Sequence, residues 1–172
     1  MASQGGDSAV LNSVLMDVRW EDKLWAECTP DDVFDWAKLR TDIFFLEQHI
    51  DEEELDAWDR HPKTRHVFAT DHRGAVAYCR LVRNDSPDPA DDGISLSIGR
   101  VVVRSDYRGK GLGHELLRRV LRHVGEEPVV LHAQEWVMSL YAAHGFEPFG
   151  EAFDEAGIPH RRMRRPGALT PQ

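Results

Sequence analysis

The segment Arg108-Gly109-Lys110-Gly111-Leu112-Gly113-His114 joins two fixed cations to three glycines, the residue types that hold a phosphate. At a helix start, backbone N–H groups without intrahelical partners and the positive end of the dipole attract anions. Glycine lets the chain turn tightly and lets the anion approach the backbone. Spacing then narrows the ligand. A P-loop needs G-x-x-x-x-G-K-[ST], and no Gly-Lys-Ser/Thr occurs in this segment; a dinucleotide turn needs G-x-G-x-x-G, and His114 stands where its third glycine belongs. What remains is R-x-x-G-x-G at Arg108, Gly111 and Gly113.

Other residues with chemical potential are Tyr141, in Leu140-Tyr141-Ala142-Ala143-His144-Gly145-Phe146, and the titratable Glu47, His66 and His132. Of the nine histidines, His61 and His66 lie five apart in a Pro-containing stretch and no H-x-x-x-H helix exists, so no metal site is expected. Cys28 and Cys79 form no C-x-x-C pair, which argues against a disulfide framework or a Cys-based zinc site.

Regular elements must position these groups. A strand is expected over 14–20. Thr29-Pro30-Asp31-Asp32 opens a helix, with a Thr cap, Pro at the first helical position and carboxylates facing the positive end of the dipole. Val33, Trp36, Ala37, Ile43 and Phe44 give it an apolar face, with a break expected near Phe45. The acidic run 51–56 reads either as a solvated loop or as a rim that attracts an amine. Runs 65–70 and 75–82 flank a turn and predict an antiparallel hairpin. Loop 84–93 is interrupted by Pro and lacks calcium-ligand spacing.

A strand over 97–103 feeds the Gly-rich turn, which starts a helix over 112–124 whose Leu112, Leu116, Leu117, Val120, Leu121 and Val124 fall on one stripe. Gly125 stops that helix. A buried strand follows over 128–133, then a short helix over 136–144 ended by Gly145 with Phe146 closing the cap, and a last strand over 160–163. The order β-α-β-β-β-α-β-α-β gives an α/β or α+β domain with a mixed sheet.

With 172 residues, the chain suits one domain, taken as 11–165 between flexible tails at 1–10 and 166–172. Hydrophobic residues at 41% supply a core. A net charge of -9 disfavours nucleic acid and fits a cationic partner. Arg161-Arg162-Met163-Arg164-Arg165 reads as a solvated sheet edge. Without a signal-peptide pattern or a long apolar run, a soluble cytoplasmic protein with no membrane partner is expected.

The run from Ile98 to Gly113 resembles the central strand and pyrophosphate loop of the GNAT superfamily of acetyltransferases, and Tyr141 with Gly145-Phe146 resembles its later Y-x-x-x-G-F signature. Phe44-Phe45-Leu46-Glu47-Gln48, Thr64-Arg65-His66 and Gly157-Ile158-Pro159-His160 resemble the ElaA-type subgroup. The resemblance implies a mainly antiparallel mixed sheet flanked by helices, with splayed parallel central strands. It implies acetyl-CoA as co-substrate and acetyl transfer to a small-molecule or peptide amine, without a metal.

By that resemblance Val101, Val102 and Val103 offer backbone to pantetheine, and the loop from Arg108 to His114 (Arg108, Gly109, Lys110, Gly111, Leu112, Gly113 and His114) holds the pyrophosphate. Tyr141 is the implied general acid. The family's strand carboxylate is absent from 98–103, which leaves Glu47 acting through water, His66 and His132 as candidate bases. A non-catalytic acyl-CoA sensor is the rival reading. A homodimer stays open.

Overall fold

Residues 18–168 are described by the computed structural model. Thr29 caps helix α1 (Pro30–Arg40): its hydroxyl accepts from the Asp32 N–H at 3.1 Å, while the Asp32 carboxylate accepts from the Thr29 N–H at 2.8 Å. Two orphan donors of the helix start are thus satisfied reciprocally. The expected break takes the form of a widened turn. Residues Thr41–Glu47 continue the helix in π geometry, with the Gln48 N–H donating to Ile43 O at 2.9 Å.

Seven strands form one sheet in the order β1-β2-β3-β4-β5-β7-β6. They are β1 (Arg19–Leu24), β2 (Arg65–Asp71), β3 (Gly74–Arg83), β4 (Leu96–Val103), β5 (Val129–Gln134), β6 (Glu147–Glu155) and β7 (Ile158–Arg165). All neighbours pair antiparallel except β4 and β5. Helix α2 (Leu112–Val124) precedes β5, and the short α3 (Met138–Ala142) follows it.

Period-two alternation sends strand side chains to opposite faces. On one face Val67, Ala69, Val76 and Leu131 pack against the predicted stripe of α2, of which Leu116, Leu117 and Val120 are fully buried. On the other, Phe68, Tyr78 and Val102 pack against Trp36, Leu39 and Ile43 of α1 and the π segment. Helix α2 ends as expected at Gly125, whose φ is +62°. Gly145, at φ +84°, ends the α3 turn, and the Phe146 N–H returns to Tyr141 O at 3.3 Å.

Three expectations change. The first described strand is Arg19–Leu24, and 14–17 lie outside the described residues. Strand β6 was not anticipated: almost all of its residues are exposed, so no alternation marks it, and pairing with β7 holds it in place. That pairing also corrects the edge reading of 161–165, because β7 lies between β5 and β6. Its arginines serve packing instead. The Arg162 and Arg164 guanidinium groups lie 4.5 and 5.1 Å from the Phe153 and Phe149 ring centroids. No described helix is long and apolar enough to cross a membrane.

Candidate active site

Parallel pairing between β4 and β5 covers only Leu96 with Val129 and Ser97 with Val130, after which the strands part. A cavity of about 740 Å³ opens there, with Ile98 to Val103 on one wall and Val130 to His132 on the other. Backbone groups on the β5 side of β4 therefore have no ladder partner over this stretch and are available to a ligand. A bulge sharpens the opening. Arg80 opposes Gly99 and Tyr78 opposes Val102, so Cys79 alone faces both Arg100 and Val101. Arg100 sits in the left-handed region at φ +55°, a conformation uncommon for a non-glycine residue and a recurrent device for re-aiming a strand beside a site.

Gly109 and Gly111 take φ of +71° and +79°, and Gly111 stands at the cap of α2. Gly113 serves another need: a Cβ there would lie 3.3 Å from Leu140 Cδ2, so the glycine lets α2 approach α3. Arg108, Gly109, Gly111, Leu112, Gly113 and His114 all line the cavity. Lys110 does not, and its ammonium lies 5.5 Å from the Tyr107 ring centroid. Ahead of the loop, Arg104 and the Tyr107 hydroxyl both bond the Asp71 carboxylate, at 2.5 and 3.1 Å, and Asp71 is held well below the usual carboxylate range. This cluster anchors the loop's entry.

Tyr141 lines the cavity from α3 with its ring buried against Phe146. Burial pushes its phenol well above the ordinary value of 10, so the hydroxyl keeps its proton. That hydroxyl bonds no described residue.

The candidate bases separate. His132 lines the cavity, and its Nε2 lies 2.8 Å from the Asp91 carboxylate. Glu47 is outside the lining, with both oxygens engaged by the Arg108 guanidinium at 2.6 and 3.0 Å. The expectation for His66 is corrected: it is fully buried, away from the cavity lining, stacked on Trp36, and bonded to the Tyr78 hydroxyl at 2.8 Å and Asp59 O at 3.0 Å.

Burial pushes His66 down from 6.5 to about 4. The unfolded chain therefore binds the proton first, and stability is expected to be full above pH 6.5 and to fall towards pH 4. Denaturation midpoints of wild type and His66→Gln across that range check this. Parallel curves would show that His66 is not the group titrating.

The Acetyltransferase (GNAT) domain family matches residues 28–166. The chain belongs to the GNAT acetyltransferases. Its sequence is 31% identical over 152 residues to the protein ElaA of Escherichia coli, covering 86% of this chain and 96% of ElaA. A UPF0039 protein of Mycobacterium tuberculosis is 35% identical over 136 residues, covering 79% and 85% of the two chains. The crystal structure of E. coli ElaA matches with a TM-score of 0.77 over 86% of this chain and 99% of ElaA. An acyl-CoA N-acyltransferase of Pseudomonas aeruginosa matches at 0.75 with 35% identity, over 86% and 99%. The fold is therefore the mixed α+β GNAT fold, and the protein is an acyl-CoA-dependent N-acyltransferase with a CoA thioester as co-substrate.

In this GNAT chain the cavity passes between the two faces of the sheet. The α2 face carries the Gly-rich loop and Tyr141; the α1 face carries residues that sequence reasoning did not assemble. Among these are Phe44, Trp58, Arg80, Glu155 and His160, together with Glu52 and Glu53 from the acidic run. A hydrogen-bond chain from Trp136 to Gln134 to Gln48, at 2.7 and 2.9 Å, joins the π segment to β5. Of these, only the acidic run reads in the sequence as a possible rim, because the rest comes from segments far apart in the chain.

Proposed function

We propose that the protein transfers acetyl from acetyl-CoA to a primary amine by direct attack in a ternary complex, within one domain spanning 11–165. The observation that carries this reading is the placement of Tyr141, whose hydroxyl bonds no described residue, in the lining of the same cavity as the Gly-rich loop and the unpaired edge of β4. Pantetheine would lie along Val101, Val102 and Val103, and the pyrophosphate would meet Arg108 and the backbone from Gly109 to His114. Arg108 would then exchange its Glu47 partner for phosphate.

The neutral amine nitrogen attacks the thioester carbon, and charge develops on its oxygen beside the β4 backbone at the bulge. The C–N bond forms and the C–S bond breaks. Tyr141 gives its proton to the departing CoA sulfur and recovers one from solvent. His132, oriented by Asp91, takes the proton that the ammonium must lose before attack, since a free alkyl amine titrates at about 10.4, passes it to solvent, and then takes the second proton that the nitrogen sheds as the amide forms.

Release of CoA thiol from acetyl-CoA in the presence of an amine panel tests the reading. Tight CoA binding without turnover on any amine would favour the sensor instead. Gly111→Asp is expected to weaken CoA binding by about tenfold or more, about 1.4 kcal/mol, because it sets a side chain and a negative charge against the phosphate. Titration calorimetry with CoA checks this, and unchanged affinity would remove the loop assignment.

A further inference from the structure

We propose that the acceptor is a primary amine on an aryl or other apolar body that carries no anionic group, seated on the α1 face of the cavity. This deepens the acetyltransferase reading and rests on it. Ile43 and Phe44 of the π segment, Ile50, Trp58 and Val82 line this half. This apolar wall can be covered by an aryl ring, which buries apolar surface there while its amine reaches the polar groups around it.

Charge sharpens the selection. Arg80 and Arg100 line the same half, and both already face carboxylates of the protein. Arg80 is held by Asp56 at 2.6 and 2.7 Å and by Asp59 at 2.8 Å. Arg100 reaches Glu54 at 3.3 Å and Asp56 at 3.4 Å. His132 likewise faces Asp91. By contrast, the exposed residues Glu52 and Glu53 belong to the cavity lining, and neither carboxylate pairs with a described cation. A cation is attracted to this half. An amino acid with the same aryl group would bring a carboxylate that must compete with Glu54, Asp56 and Asp59 for these arginines and is repelled by Glu52 and Glu53.

Thiol release from acetyl-CoA is measured with tryptamine and phenylethylamine against L-tryptophan, L-phenylalanine, spermidine and kanamycin. The arylalkylamines are expected to exceed the others in kcat/KM by about 10-fold or more. Trp58→Ala is expected to raise the KM for tryptamine by about 10-fold with CoA affinity unchanged, and Trp58→Phe to retain most of the activity.

Turnover of spermidine, kanamycin or an amino acid at rates equal to or above the arylalkylamines overturns the acceptor assignment and leaves acetyl transfer standing. CoA binding with no turnover of any amine overturns both. If Trp58→Ala keeps the wild-type KM for tryptamine, Trp58 is not part of the acceptor wall and the assignment falls with it.

Discussion

Tyr141→Phe is expected to lower kcat by about 10²- to 10⁴-fold, the usual contribution of a positioned general acid, while leaving acyl-CoA affinity near that of the wild type. The substitution isolates the hydroxyl. The ring stays in the core, edge-on to Phe146 at a centroid distance of 6.1 Å. The lost hydroxyl has no described partner, so its removal orphans no buried group and should not destabilise the fold.

Burial holds Tyr141 well above the ordinary phenol value, and so above an alkyl thiol in water. Proton transfer from this phenol to a free thiolate is therefore uphill, and its advantage lies in donating as the C–S bond breaks. Consequently kcat should show no alkaline loss assignable to Tyr141 below pH 10. Steady-state thiol release and calorimetric CoA binding, measured on both proteins, decide the matter. A parallel loss of affinity and turnover would make Tyr141 a packing residue.

The donor half of the cavity was legible because it is nearly continuous in the chain. Strand 98–103, the glycine turn and the stripe of α2 lie in one run of residues, and each carries a local signal: β-favouring composition, backbone freedom and 3.6-residue periodicity. The observed Leu112–Val124 helix coincides with the expected one for that reason. The half on the α1 face draws on the π segment, the loop through Trp58, β3, β5 and the β6–β7 hairpin. No single segment announces it.

The bulge was equally hidden, since its left-handed residue is Arg100 rather than the neighbouring Gly99. Arg100 holds that conformation while bonded to Glu53 O and Glu54 O, at 3.4 and 3.3 Å. These contacts exist only once loop 51–56 has packed across β4. His66 misled for the opposite reason: a titratable residue type in a strand says nothing about which way the side chain faces until the register with β3 is known.

Asp59→Ala is expected to cost about 3–5 kcal/mol of stability, the range for removing one partner of a buried ion pair. Asp59 is 3% exposed and binds two arginines at once: Arg40 at 2.7 and 3.2 Å and Arg80 at 2.8 Å. Arg40 is fully buried, with its guanidinium 5.3 Å from both the Trp36 and Tyr78 ring centroids. Without Asp59, two desolvated cations would face each other with only Glu54 and Asp56 to balance them. Arg40→Met combined with Asp59→Ala should recover part of the loss, because the second change removes the charge left unpaired by the first.

The same network reaches the cavity. Asp56 and Glu54 hold Arg80 and Arg100, and they fix the loop that carries Glu52 and Glu53. Asp59→Ala protein that remains folded at low temperature should therefore show a raised acceptor KM with CoA affinity retained. Urea denaturation of the single and double variants reads the stability effect, and the split between acceptor KM and CoA binding reads the coupling. A stability loss below about 1 kcal/mol, the scale of exposed ion pairs, would mean that water reaches the arginines and that the network does not hold the acceptor loop in place.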